Sequence, residues 1–244
     1  MGTRKVHESM SVEKSNFVER VFTEVPGTYE LVNHVLTFGL DILWRRRAAR
    51  IAAKADGGQW ADMCTGTGET AAYLSRLAPK GTTIYGIDFS EPMLGVAKRK
   101  PEAKHIKFVV SDIKALPFPD GSFELVTMSF ATRNINLSKE LLTQSFGEYY
   151  RVLKPGGRFV NLETSIPSSW PVRRCFELYV KLFVKSIGSL ISGSKTAYAY
   201  LGKTIPRFYS AEELSEIMRD GGFKEVTFEK HFFGAVAIHQ GMKL

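Results

Sequence analysis

The feature that most constrains this chain is a short apolar run, residues 59–65, that ends in Gly66-Thr67-Gly68 and passes directly into a helical pattern over 69–77. Glycines between a strand and a helix permit a tight turn and let backbone N–H groups approach a ligand closely. Through Ala71 the segment fits G-x-G-x-x-G/A, and Asp88 follows Gly68 by 20 residues at the end of the next apolar run, 82–87. A carboxylate at that place accepts hydrogen bonds from the ribose hydroxyls of a nucleoside. Together they predict a parallel sheet built to hold a nucleoside.

The rest of the chain extends that pattern. Strands are expected over 105–110, 123–129 and 158–163, and helices over 91–100, with Pro92 in the first turn, and 138–153. The alternation breaks for about 45 residues, then resumes with a helix over 211–220 and strands over 223–229 and 233–243. Strands alternating with helices give a sheet covered on both faces. The fold class is therefore α/β, a doubly wound, seven-stranded, mainly parallel, Rossmann-like sheet with N-terminal helices and a helical insertion before the last two strands. The 244 residues suit a single domain. Its parts are an N-terminal helical cap (11–55), a cofactor-binding core (56–165), a helical insertion or lid (166–207) and a C-terminal helix and strand pair (208–244).

Composition excludes several classes. Two cysteines, Cys64 and Cys175, make neither a disulfide framework nor a cysteine-rich zinc site, and no metal is expected. The longest stretch free of Asp, Glu, Lys and Arg is the 12 residues 231–242, too short for a membrane span, which needs about 18–20. No apolar leader is visible, so a cytoplasmic protein is expected. Of the net charge of +8, the segment 166–209 supplies +6, with seven basic residues and one acidic. Within it, residues 170–191 interleave Trp170, Phe176, Leu182 and Phe183 with Arg173, Arg174, Lys181 and Lys185. A basic amphipathic helix reads as an element for the surface of a membrane, or as an ordinary lid or dimer helix with a solvated face. A homodimer and a peripheral place on the inner membrane face are expected on that basis.

The glycine loop and Asp88 are shared by sites for NAD and for S-adenosylmethionine. Ser111-Asp112-Ile113 after the third strand, where an acid can receive an adenine amino group, and Leu153-Lys154-Pro155-Gly156-Gly157 before the fifth favour the second. An NAD-dependent oxidoreductase stays as the alternative. These motifs resemble class I S-adenosylmethionine-dependent methyltransferases, and several segments go further. Residues 17–47, 88–94 (DFSEPML), 111–123 (SDIKALPFPDGSF), 128–134 (MSFATRN) and 234–243 (GAVAIHQGMK) resemble the ubiquinone/menaquinone biosynthesis C-methyltransferase family of UbiE or MenG type. Three positions depart from its usual pattern: Glu30 for Asp, Ala131-Thr132 for Gly-Leu or Gly-Ile, and TGTGET for GGTGD.

The resemblance implies an enzyme that methylates the ring of a demethylated isoprenoid quinol, demethylmenaquinol to menaquinol first, or another small lipophilic or aromatic acceptor. It implies cofactor contacts from Gly66, Gly68, Thr70, Asp88, Met93, Asp112, Ile113 and Ser129, the product being S-adenosylhomocysteine. Acceptor chemistry falls to Arg133, Asn134 and Tyr29. Arg133 also stands directly after the fourth strand, at the ligand edge of such sheets. His34, His231 and His239 are candidate bases by residue type, with His239 on the last strand able to face the acceptor. The bland readings are a small buried Cys64 and a solvated Arg45-Arg46-Arg47 face. Nucleic acid is not an expected partner: the chain lacks an Asn/Asp-Pro-Pro-aromatic tetrapeptide and an appended RNA module.

Overall fold

The computed structural model describes residues 26–113, 115–136 and 138–244. The described residues open with α1 (Tyr29–Leu36) and α2 (Leu40–Ala52). The alternating part follows: β1 (Gln59–Met63), α3 (Glu69–Leu77), β2 (Thr83–Asp88), α4 (Glu91–Ala97), β3 (Ile106–Val110), β4 (Phe123–Ser129), a single turn α5 (Thr132–Ile135), α6 (Lys139–Val152) and β5 (Leu153–Thr164). A helical excursion comprises α7 (Trp170–Tyr179), a π turn over Val180–Val184, α8 (Lys185–Ser192) and α9 (Lys195–Thr204). The chain closes with α10 (Ala211–Asp220), β6 (Lys224–His231) and β7 (Val236–Met242). The part of the expected N-terminal cap before residue 26 lies outside the described residues.

The seven strands form one sheet in the order β3-β2-β1-β4-β5-β7-β6. The first five run parallel, and β7 is antiparallel to both β5 and β6. The seven-stranded, mainly parallel sheet read from the sequence is what the chain forms. The order reverses between β1 and β4, and a crevice at the carboxyl ends of such strands is where open α/β sheets bind ligands.

Alternation sends successive side chains to opposite faces. In β1, Ala61 and Met63 join a core with Phe146 and Tyr149 of α6 and Leu214 and Met218 of α10. Trp60 points the other way, into a core with Ala48, Ala49 and Ala52 of α2 and Leu74 of α3. Covered on both sides, the central strands are buried almost throughout, as parallel sheets require. A third, smaller cluster packs Val32 of α1 against Val180, Val184, Tyr198 and Leu201. Serines cap four helices in the expected way: Ser90, Ser138, Ser194 and Ser210 each accept from the backbone N–H three residues on. Ser210 and Glu213 complete a reciprocal capping box.

Lys154-Pro155-Gly156-Gly157 sits differently from expectation. Leu153 already pairs with Phe123, so the motif bulges within β5 rather than preceding it, and the register shifts between Phe123 and Leu125. Gly156, at φ +78°, donates its N–H to the Lys243 carbonyl and ties the bulge to the chain end.

His239 is a correction. It is fully buried in β7, with Nε2 2.9 Å from the Ala211 carbonyl, and packs beside Phe228 rather than facing an acceptor. Burial lowers its pKa from 6.5 to about 4. A base with a depressed folded pKa contributes stability above the unfolded value and loses it as pH falls through the folded one. In His239→Gln, urea denaturation from pH 6.5 down to 4 should lose about 3 kcal/mol less than wild type; parallel pH profiles would contradict the buried neutral imidazole.

Candidate functional site

β1 ends at Met63 and the chain turns at once. Cys64, Gly66 and Gly68 all have positive φ, at +50°, +54° and +80°. The Thr65 N–H bonds to the Ile87 carbonyl and the Gly68 N–H to the Thr65 carbonyl, which closes the loop onto β2. A Cβ on Gly68 would lie 2.9 Å from that of Ala97, so glycine there is a packing requirement. A Cβ on Gly66 would meet nothing within 4 Å, so that side of the loop is open. Cys64 is half-buried, and burial, reinforced by the Asp88, Asp62 and Asp112 carboxylates, pushes its thiol well above its usual range. The thiol stays protonated and inert.

Two carboxylates pin this loop. Asp88, buried at the end of β2, accepts from the Gly66 N–H at 2.8 Å and the Ser90 N–H at 2.9 Å. Desolvation raises its pKa, and those N–H groups oppose the rise. Asp62, buried in β1, accepts from the hydroxyls of Thr65 and Thr127, each at 2.7 Å, joining the loop to β4. Burial pushes Asp62 up to about 6.

Next to the loop, Thr70 in the first turn of α3 donates its hydroxyl to Ser129 at 3.0 Å. It accepts in turn from Arg45 Nη1 at 3.4 Å. Arg45 is 5% exposed. Its Nε lies 3.4 Å from Glu69 and 3.9 Å from Asp41, and its guanidinium stands 5.0 Å over the Phe130 ring. The bland reading of Arg45-Arg46-Arg47 is thus corrected at its first member: Arg46 and Arg47 are exposed, but Arg45 is on the inner face of α2. His34 Nδ1 sits 2.9 Å from Asp41, which also accepts from the Thr37 hydroxyl.

Beyond Arg45 opens a cavity of about 200 Å³. Its walls are mostly apolar: Leu36, Phe38, Trp44, Phe130, Phe176, Val180 and Phe232 among them. Tyr29, Asp41, Arg45 and Arg133 supply polar groups. Arg133, 7% exposed, is held by Thr164 Oγ1 at 3.0 Å and lies 3.6 Å from the fully buried Glu163, whose other oxygen accepts the Arg133 backbone N–H. Burial raises the Tyr29 phenol, with Arg45 acting in the opposite direction.

The structure thus groups the sequence candidates in two places. Gly66, Gly68, Thr70, Asp88 and Ser129 surround the carboxyl ends of β1, β2 and β4, with Met93 buried beneath and Asp112 and Ile113 just past β3. Tyr29 and Arg133 line the cavity; Asn134, beside Arg133 on α5, does not. His231 lies 3.8 Å from Glu229, outside the residues lining the cavity. Sequence reasoning misses Asp41, Arg45, Asp62, Glu69 and Glu163. An acid inside a strand pattern is the available signal for Asp62 and Glu163, and a four-residue spacing of Asp41 and Arg45 for the α2 pair.

Comparison with known proteins places these features in context. The ubiE/COQ5 methyltransferase family matches over residues 10–243. The demethylmenaquinone methyltransferase of Thermus thermophilus is 40% identical over 91% of this chain and 99% of its own. The ubiquinone/menaquinone biosynthesis C-methyltransferase UbiE of Desulfotalea psychrophila is 37% identical over 98% of this chain and 95% of its own. In fold, the chain is similar to a SAM-dependent methyltransferase of Thermotoga maritima, with TM-score 0.59, 22% identity, and coverage of 93% of this chain and 100% of that one. A SAM-dependent methyltransferase of Aquifex aeolicus gives TM-score 0.54 at 20% identity, over 78% and 84%.

The loop geometry makes a sharp prediction about its two glycines. Gly68→Ala carries both the left-handed penalty and a collision with Ala97, and should cost about 2–4 kcal/mol in urea denaturation. Gly66→Ala carries the backbone penalty alone, about 1–2 kcal/mol. Equal losses would show that Ala97 does not limit the loop.

Proposed function

The chain belongs to the ubiE/COQ5 methyltransferase family, and on that premise we propose that it methylates a ring carbon of a demethylated isoprenoid quinol, demethylmenaquinol first. S-adenosylmethionine is the methyl donor, and membership of a methyltransferase family disfavours the NAD alternative. The names of the relatives from Thermus thermophilus and Desulfotalea psychrophila support this acceptor. The observation that carries the reading is a guanidinium, Arg133, fixed in the wall of a mostly apolar cavity beside the Thr70–Ser129 end of the glycine loop.

The residues present fit the donor. Gly66 offers open space against the loop, and each Asp88 oxygen accepts one N–H, leaving acceptor capacity for ribose hydroxyls. Gly66, Gly68, Thr70, Asp88, Asp112, Ile113 and Ser129 would hold it, with Met93 packed below. When bound, it supplies a methyl group already activated on a sulfonium, so the acceptor has only to present an aligned carbon nucleophile.

The protein's own residues prepare that nucleophile. A ring carbon becomes nucleophilic when an adjacent hydroxyl loses its proton. A cation within about 4–6 Å favours the ionised form by roughly 1–3 pKa units, and Arg133 provides one. Thr164 and Glu163 hold the guanidinium in one orientation, so little reorganisation accompanies the charge that develops on the oxygen. Tyr29 lines the same cavity and can fix the ring by hydrogen bonding. The apolar walls exclude water and seat the ring, and alignment alone can supply about 7–11 kcal/mol in favourable cases.

The acceptor's tail partitions into a bilayer, and a peripheral approach to the membrane through residues 170–191 suits it. In support, α7 buries none of its residues fully. Trp170, Leu178, Leu182, Phe183 and Leu190 are exposed beside Arg173 and Arg174, and Phe38 and Phe232 stand exposed where they line the cavity. Among the described residues no helix is long and apolar enough to cross a membrane.

Two measurements test this reading. Arg133→Ala should lower turnover of demethylmenaquinol about 10²–10³-fold while calorimetric affinity for S-adenosylhomocysteine stays unchanged; undiminished turnover would remove Arg133 from the chemistry. The protein should sediment with anionic vesicles and less with neutral ones at low salt, each basic residue near the surface adding about 1 kcal/mol. Equal sedimentation with both would defeat the basic-helix approach.

A further inference from the structure

Arg45 is a buried cation whose hydrogen bonds the described residues around it do not account for. A guanidinium carries five N–H donors. Among the described residues, Arg45 makes one long hydrogen bond, to Thr70 Oγ1 at 3.4 Å. Its Nε is buried without a hydrogen-bond partner, and the carboxylates facing it stand off at 3.4 Å (Glu69) and 3.9 Å (Asp41). A buried N–H donor left without a hydrogen bond costs more than an ordinary hydrogen bond returns, even where its charge is ion-paired. Such an arrangement is expected where a ligand completes the set.

The position narrows what that ligand is. Arg45 lines the cavity from α2 and reaches the first turn of α3 directly after the glycine loop, touching the hydroxyl pair Thr70–Ser129. Hydrogen-bond donation runs from Arg45 to Thr70 to Ser129, so the Arg45 fork is directed at that corner. A planar guanidinium recognises a carboxylate by two parallel hydrogen bonds. Glu69, the next residue after Gly68, brings a carboxylate of opposite charge to the same corner, 10% exposed. A neighbouring cation and anion, both largely desolvated, are complementary to an α-amino acid zwitterion. The cofactor of the proposed function carries one at the end of its methionyl chain.

We propose that Arg45 receives the carboxylate of the amino-acid portion of S-adenosylmethionine, with Glu69 facing the ammonium. The assignment rests on the proposed function and adds a contact that neither the glycine loop nor Asp88 supplies.

The test compares two ligands by titration calorimetry, S-adenosylhomocysteine and its decarboxylated analogue, which keeps the nucleoside, the sulfur and the amine. Wild type should prefer S-adenosylhomocysteine by roughly 10- to 150-fold, the range for hydrogen bonds to a charged group. Arg45→Gln should lose that preference by weakening S-adenosylhomocysteine alone, and Arg45→Lys should retain part of it. Equal binding of the two ligands by wild type, or a Gln variant that weakens both alike, would overturn the assignment. If the Gln variant fails to fold by circular dichroism, the wild-type comparison and the Lys variant decide. Failure of S-adenosylhomocysteine to bind wild type at all would instead bring down the methyltransferase reading, and this assignment with it.

Discussion

The site depends on one buried charge. Arg45 of α2, paired within its helix with Asp41, reaches Glu69 and Thr70 of α3 and lies over Phe130 at the end of β4. Three elements far apart in sequence are thereby brought into one register. Buried ion pairs of this kind offset their own desolvation only with good geometry, so they are weak evidence for stability. Their effect here is positional. Arg45 offsets part of the charge of Asp41 and Glu69, both of which His34 also faces. The neighbouring contacts work in the same direction: His34 meets Asp41 and Lys100 pairs with Glu30 of α1.

From that anchor the division between the two halves of the site follows. One side is a polar cradle formed by the loop, Asp88, Asp62 and Thr70, where backbone N–H groups and carboxylates are already paired. The other is a mostly apolar chamber with Arg133 fixed in its wall. Its rim carries backbone strain, for Phe38, Phe130 and Phe232 all have positive φ, at +53°, +56° and +47°. Bulky residues in the left-handed region cost about 1–3 kcal/mol each and cluster at functional sites. All three rings line the cavity.

How much of this is legible in the sequence depends on whether the signal is local. The glycine loop, Asp88 and the succession of strands announce themselves through punctuation and spacing, and all seven expected strands form, though β5 begins five residues before its expected start. Long-range burial is not legible. Three consecutive arginines look like a solvated face, and only the packing of Ala48, Ala49 and Ala52 against the sheet reveals that Arg45 shares their side of α2. His239 qualifies as a base by residue type and by its place on the last strand. β7 lies between β5 and β6, however, and both its faces are covered, so that imidazole is neutral and remote. Pro155-Gly156-Gly157 reads as a helix stop, which it is, but the strand has already begun at Leu153 because a bulge accommodates the turn. Asp62 and Glu163 pass for ordinary strand residues, though an acid in a doubly covered strand has to be paired or protonated.

The most direct measurement is to supply the protein with methyl-labelled S-adenosylmethionine and demethylmenaquinol in mixed micelles, kept reduced, and to locate the label in the product. The account predicts one new carbon-bound methyl on the quinol ring, with S-adenosylhomocysteine formed in equal amount. Label on a quinol oxygen would mean that Arg133 does not direct the charge to carbon. No label on the quinol, with S-adenosylhomocysteine still bound tightly, would mean that the chamber was shaped for a different acceptor.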